Sequence, residues 1–400
     1  MKRVHFLGIF FLFMVALVLS ACGAGKTVNN KTGAAAGAGG SGGDLAEGAI
    51  PIGAVLEKSG ALENWGKQSE CGMMLALEEL NGKDGITIQL FVEDNKSSPD
   101  QSANAFISLA NVKKVMCVLG AVASSNSRQM KEQANKLNVP QITHASTNVQ
   151  LTKDTGWLYR ICWNDAFQGS VCAQFAINGL KAKKAAIVTD AAQDYSRGLS
   201  RNFEETYKSL GGTVVEELNY QTGDKVFTSQ VEKLKSLDLD CIFCSGYAAE
   251  AALLLKTARE SGLQKPMLGG DGLDDPQFFN IAGAHVGTGV FLCNHAHEED
   301  PDLRVQTFVK KYKAQYKEAP GAMSFLGYDS IYAIHDSLKR AKAQGAITRE
   351  SVRDAIAQIK DLSLVTGKIT MGPDHEVKKR AVVVECQADK TMKFCAEIKP

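Results

Sequence analysis

The sequence predicts an α/β protein made of two doubly wound, parallel-sheet lobes joined by a hinge. Three observations lead there. Short apolar runs of strand length alternate with amphipathic stretches of helical spacing from Ile50 onward. The series restarts near Leu158, with more strands than one open sheet comfortably holds. One strand–loop–helix–strand pattern also occurs twice, over residues 115–147 and again over residues 240–273.

The elements follow in order. Residues 50–56 read as a strand and 65–81 as a helix, with Met73, Met74, Leu77 and Leu80 on one face. Residues 86–93 alternate as a strand does. Ser98-Pro99 opens a helix that runs to Asn111, with proline at its first position. Strand 115–119, helix 124–137 and strand 139–143 complete the first series. The second has strands at 185–189, 213–218, 241–244, 266–268 and 290–293. Helices at 199–210, 227–237 and 248–261 lie between them. Asp300-Pro301 then opens a helical stretch with helices at 305–316, 324–343 and 349–359. Residues 368–371, 381–386 and 392–398 read as strands, the last two forming a hairpin through 387–391.

Composition narrows the function. The 400 residues are 44% hydrophobic and 22% charged, so the bulk can bury a core. Lys and Arg total 45 against 44 Asp and Glu, without the basic excess of a nucleic-acid binder. Only the N-terminus carries a stretch apolar enough to enter a bilayer, which argues against a multi-span transporter or channel. Lys2 and Arg3 precede an apolar run from Phe6 to Leu19, as in a signal peptide over residues 1–21. Leu19-Ser20-Ala21-Cys22 resembles the bacterial lipobox, in which Cys22 becomes a lipidated N-terminus. Residues 22–48 are rich in Gly, Ala, Ser, Thr and Asn and read as a flexible tether. The folded part is therefore expected at a membrane surface, in the periplasm or at the cell surface.

The repeated pattern marks a cleft, because open α/β sheets hold ligands at the carboxyl ends of their strands. Ser124 and Ser125 open a helix, where free backbone N–H groups favour an anion. His144-Ala145-Ser146-Thr147 offers a carbonyl and hydroxyls beside it. In the second copy, Gly270-Asp271-Gly272 sets one carboxylate between two glycines, and Tyr247 supplies an aromatic wall or a hydroxyl. An anion site facing a lone acid suits the two charges of an α-amino acid. The same residues also read as a helix cap and a turn, and spacing alone does not separate the two.

Residues 50–400 resemble bacterial ABC-transporter substrate-binding proteins of the leucine/isoleucine/valine-binding type. The residues carrying the likeness include Gly53-Ala54-Val55, Ser59-Gly60, Trp65-Gly66, Glu93-Asp94, Gly120 to Ser125 and Ile142 to Thr147. Tyr159-Arg160, Gln168-Gly169, Asp194-Tyr195 with Gly198, Gly246-Tyr247, Asp271-Gly272 and Gly367 to Met371 continue it. The resemblance implies the type I periplasmic-binding fold, with lobe one at residues 50–166 plus 297–370 and lobe two at 167–296 plus 371–400. By the same resemblance Ser124 meets the ligand carboxylate, Ala145 and Thr147 serve ammonium and carboxylate, and Asp271 binds the ammonium. Trp65, Tyr195 and Tyr247 line the cleft. Asp271 stands where branched-chain binders often have Glu, and Trp65 where Tyr is frequent. His144 and His375 replace a usual Pro and Gly. The implied activity is non-enzymatic: a hinged, monomeric clamp shuts on an amino acid and delivers it to ABC permease subunits, anchored to the lipid bilayer through Cys22.

Rival readings are weaker. The same clamp could take an aromatic acid or an amide, or act as a sensory protein. A nucleotide-dependent enzyme would need G-x-G-x-x-G after the first strand, where Glu57 to Leu62 reads EKSGAL. No cofactor and no metal is expected. His295-Ala296-His297 offers two ligands but no evident third or fourth. Cys22 apart, nine cysteines remain, an odd number that cannot all pair. Cys241 and Cys244 share a strand at opposite-face spacing and read as buried thiols. Cys386 and Cys395, flanking the final hairpin, are the best disulfide candidates.

Overall fold

The computed structural model describes residues 45–287 and 289–400. The expected signal peptide, Cys22 and residues 22–44 of the tether lie outside the described residues. Strands β1 (Ile50–Leu56), β2 (Ile88–Asp94), β3 (Val118–Gly120), β4 (Gln141–Thr143) and β5 (Leu158–Arg160) form one sheet. Its order is β2-β1-β3-β4-β5, and every pairing is parallel. Helices α1 (Glu63–Leu80), α2 (Pro99–Asn111) and α3 (Ser124–Leu137) connect these strands. β1 is an interior strand between β2 and β3 and is buried along nearly its whole length, as its unbroken apolar sequence requires. At α2 the Ser98 side chain accepts from the Gln101 N–H, and Pro99 occupies the first turn.

The chain then crosses to a second sheet. α4 (Asp165–Gln174) leads to β6 (Lys184–Asp190), α5 (Asp194–Ser209), β7 (Thr213–Tyr220) and α6 (Thr228–Lys235). β8 (Cys241–Ser245), α7 (Ala248–Glu260), β9 (Met267–Gly269), α8 (Pro276–Ala282) and β10 (Val290–Asn294) follow. A return crossing brings α9 (Leu303–Tyr316), α10 (Ala322–Gln344) and α11 (Arg349–Ala357) back to the first sheet. After the small hairpin β11 (Leu362–Leu364) and β12 (Gly367–Ile369), a third crossing delivers β13 (Ala381–Cys386) and β14 (Met392–Ile398) to the second sheet. That sheet runs β14-β13-β10-β9-β8-β6-β7, parallel except where β13 and β14 join antiparallel.

Apolar side chains pack on both faces of each sheet. Cys241 lies in the cluster on one face of the second sheet and Cys244 in the cluster on the other, as a period of two demands. α10 lies against α1 closely enough that a Cβ at Gly72 would collide with the Ser324 carbonyl, and one at Gly327 with the Ser69 carbonyl. Three side-chain anchors tie the crossings together. Buried Arg160 binds Glu376, Lys379 donates to the Ile161 carbonyl at 3.1 Å, and Arg380 pairs with Asp300.

Some elements depart from the sequence reading. α4 was not expected. It buries Asp165, Gln168, Val171, Cys172 and Ala173 against its surroundings, so it shows no polar stripe to mark it. α5 starts at Asp194, a turn before residue 199. Of the strand expected over 368–371, only residues 368 and 369 are in β12, which pairs with β11 rather than with a main sheet. The Cys386–Cys395 pairing is not formed, and all nine described cysteines are free. A β-bulge at Val383/Val384 pairs Val384 with Phe394 and Val383 with Ala396, so Cys395 has no ladder partner, while Cys386 faces Met392.

Candidate ligand-binding cleft

The seven residues singled out from the sequence come together. Trp65, Ser124, Ala145 and Thr147 line a single narrow hollow from the first-sheet side, and Tyr195, Tyr247 and Asp271 from the second-sheet side. Its free volume is about 10 Å³, room for roughly one water. The strand order explains the convergence. Ser124, Ala145 and Thr147 follow β3 and β4, Trp65 sits in the first turns of α1 after β1, and the reversal of order lies between β1 and β3. Tyr195, Tyr247 and Asp271 follow β6, β8 and β9 in the same way.

On the first side, the Ser124 hydroxyl accepts from the Asn148 N–H at 3.2 Å. Not all of the donors at the start of α3 are free. Glu57, fully buried at the end of β1, accepts the N–H groups of Val122 at 3.2 Å and Ala123 at 3.1 Å, and the Asn126 amide at 2.8 Å. Burial pushes the Glu57 pKa up, against these donors. The intrinsic anion site is thus partly filled by the protein's own carboxyl group, which leaves Ser124 at its edge. Arg160 holds the next loop by donating to the Ser146 and Asn148 carbonyls at 3.0 and 2.9 Å, which places Thr147 between two fixed points.

On the second side, Asp271 is buried, 5% exposed. Its Oδ1 accepts from Gln168 Nε2 at 2.8 Å and from the Tyr195 hydroxyl at 2.9 Å. Its Oδ2 lies 2.9 Å from His295 Nε2. The glycines beside it matter for space. A Cβ at Gly270 would strike the Tyr195 hydroxyl, and one at Gly272 the Gly246 carbonyl. The aromatic wall is continuous. Tyr195 stacks on Tyr247 at 5.5 Å, and Tyr247 meets the edge of Trp65 at 5.3 Å.

Several contacts join the two sides directly. Trp65 Nε1 donates to the Asp274 carbonyl at 2.9 Å, and Asn64 to Asp275 at 3.1 Å. Across the other rim, Arg128 pairs with Asp194 at 2.6 Å and Asn148 donates to the Asp194 carbonyl at 2.6 Å.

Sequence reasoning missed residues that reach the site from elsewhere. Met323, in the first turn of α10, lines the hollow. Asp165, at the start of α4, is fully buried, and burial pushes its pKa up to about 8, while the Thr147 hydroxyl works in the opposite direction. Asp271 adds to the upward push. His295 binds Asp271, and no metal-ligating group of three or more is found among the described residues. His144 is also buried, with Nε2 3.1 Å from the Ser69 hydroxyl, and burial holds its pKa down to about 3. His375 adopts a positive φ of 63° and stacks on Tyr159 at 4.3 Å. No described helix is long and apolar enough to cross a membrane.

The family model for periplasmic binding proteins matches residues 49–391. A Leu/Ile/Val-binding protein, BraC3, of Rhizobium johnstonii is 26% identical over 341 residues, 84% of this chain and 91% of that one. The solved leucine-binding protein LivK of Thermotoga maritima superposes with a TM-score of 0.83 at 32% identity, covering 88% of this chain and 99% of that chain. The branched-chain amino acid binding protein LivJ of Streptococcus pneumoniae, solved with isoleucine, gives 0.81 at 30% identity, covering 88% of this chain and 100% of that chain.

Proposed function

The chain belongs to the periplasmic binding protein family, and on that premise we propose that it captures an apolar, branched-chain-type α-amino acid between two lobes and delivers it to an ABC importer. The observation that carries this reading is the opposition of charge chemistries across one hollow. Asp271 faces Ser124, Ala145 and Thr147, with aromatic rings between them. In this reading Ser124 and Thr147 receive the carboxylate, and the Ala145 carbonyl, the Thr147 hydroxyl and Asp271 receive the ammonium. Trp65, Tyr195, Tyr247 and Met323 enclose the side chain. The leucine-binding and isoleucine-bound relatives support the cargo class.

The mechanism is a clamp. A hollow of about 10 Å³ is far smaller than an amino acid, so the lobes must part to admit one and shut on it. Contacts formed only in the shut form bias the equilibrium toward it, and their differential energy sets the affinity. We place lobe one at residues 50–166 plus 297–370 and lobe two at 167–296 plus 371–400. A lipid at Cys22 and a tether to residue 48 would keep the clamp at the membrane surface, within reach of the permease.

Calorimetric titration with the twenty amino acids, repeated on Asp271→Ala, tests the reading. Removing one partner of a buried charge pair costs about 2–5 kcal/mol, a loss of roughly thirty- to several-thousand-fold in affinity. Normal binding by the variant, or no amino acid binding to the parent chain, overturns the proposal.

A further inference from the structure

Asp271 is nearly saturated before any ligand arrives. An ionised carboxylate offers about four lone-pair sites. Gln168 and Tyr195 use both on Oδ1. The Tyr195 hydroxyl itself accepts the Gly272 N–H at 3.1 Å, so its own proton is directed at Asp271. His295 uses one of the two on Oδ2. One acceptor position remains, and the imidazole decides where it points. The ring is held in place: it stacks on Trp163 at 3.7 Å with an interplanar angle of 15°, and its side chain is 1% exposed.

We propose that His295 is a positioning residue for ligand capture, holding Asp271 so that a single Oδ2 lone pair meets the ligand ammonium, and that protonating its ring weakens capture. This deepens the amino-acid reading above and rests on it. As a neutral ring, His295 donates Nε2–H to Asp271 and leaves the carboxylate its charge for the ligand. As an imidazolium it pairs with that charge and repels an incoming ammonium. Burial lowers the His295 pKa, opposed by the hydrogen bond to Asp271, so the neutral ring is the resting form near neutral pH. The charged and titratable groups facing it are Asp271 and Asp274 on the loop after β9, Lys379 ahead of β13 and His144 after β4. His144 stays neutral through the mildly acidic range, and Asp165, pushed up to about 8 by burial, already holds its proton there.

The sign is set by linkage. An ammonium ligand favours the neutral ring, so binding expels a proton from His295 and affinity falls as pH drops through its pKa, by up to about tenfold per unit. The test titrates valine, leucine and isoleucine into the full chain in steps from about pH 7.5 down to about pH 4.5, below the ordinary histidine range, and a parent with no acid weakening over those steps overturns the proposal. His295→Gln keeps a donor without the titrating ring, and is expected to bind within about threefold of the parent at the highest pH and to lose most of the acid weakening. His295→Phe keeps the stack on Trp163 but has no donor, and is expected to bind at least about tenfold more weakly at every pH. As a readout independent of variants, the His295 ring resonance is expected to titrate at lower pH with ligand bound than without. An unchanged acid limb in His295→Gln, full affinity in His295→Phe, or a ring pKa indifferent to ligand overturns the role of His295. If the parent chain binds none of the three amino acids, the amino-acid reading falls and takes this inference with it. If Asp271→Ala loses binding while both His295 variants behave as the parent, only the inference falls.

Discussion

Replacing Arg128 with alanine is expected to weaken ligand capture although Arg128 does not line the hollow. Its Nε lies 2.6 Å from Asp194 Oδ2, and the pair links α3, beside the first sheet, to α5, beside the second. The guanidinium is half exposed, with 53% of its side chain open against 18% for Asp194. Exposed pairs of this kind contribute about 0.2–1 kcal/mol. Asn148 and Ser125 still hold the Asp194 backbone in the variant, at 2.6 and 3.3 Å, so the cost is that of the ion pair alone. Asp194 also keeps Arg197 as a partner, so it is not left unpaired. Because the Arg128–Asp194 pair spans the two sides, its loss falls on the shut form and appears as weaker binding of about 1.5- to fivefold. Screening supplies the control, since the Debye length is about 8 Å at physiological ionic strength and about 3 Å at 1 M. Calorimetry at low salt is expected to separate the parent from Arg128→Ala, and at about 1 M salt the two are expected to converge. Equal affinities at low salt would refute the link between this pair and closure. A loss of more than about twentyfold would also refute it, because it exceeds what an exposed pair can hold and would put the guanidinium on the ligand itself.

Two further outcomes follow from the same geometry. Trp65→Phe removes the indole N–H and leaves the buried Asp274 carbonyl without it, a cost of about 1–3 kcal/mol; calorimetry is expected to show binding weakened by roughly five- to 150-fold, and an unchanged affinity would count against a shut form that includes this bond. Asp165 has its folded pKa raised to about 8 from an ordinary 3.8, so the folded state keeps a proton that the unfolded state gives up, and stability is lost as pH rises between those values. Asp165→Asn is expected to flatten the fall in melting temperature between about pH 5 and pH 8 and to melt higher than the parent at the upper end; an unchanged slope would show that this carboxyl group does not titrate as its burial implies.

Much of the site was legible because each lobe repeats one unit. The Ser124 loop after β3 matches the Tyr247 loop after β8, the Ala145–Thr147 loop after β4 matches the Asp271 loop after β9, and the carboxyl ends of parallel strands are where backbone groups and short loops are free to meet a ligand. What the sequence hid is whatever reaches the hollow from a distant element or through another side chain. Met323 comes from α10, whose sequence reads only as a buried helix. Asp165 and Gln168 belong to α4, which carries no amphipathic stripe. Glu57 looks like an ordinary strand end, yet it takes the Val122 and Ala123 N–H groups that seemed free for an anion.

The His295–Asp271 bond shows why such links escape a linear reading. In the chain, His295 stands two residues from His297, a spacing that offers two metal ligands but no evident third. In space, the strand-end geometry of β10 turns the ring toward the loop after β9, and Trp163, from the crossing after β5, covers its face. A spacing of two on a strand end places two side chains on one face only while the strand continues; β10 ends at Asn294, so His295 and His297 are free to diverge. His297 has its own local contact, accepting the Glu299 N–H at 3.3 Å through Nδ1. The end of the strand therefore supplies Asp271 with its third donor. Asp in place of a longer Glu at this position is consistent with that arrangement: the shorter side chain keeps the carboxylate within reach of Gln168, Tyr195 and His295 at once, and the ligand must come to it.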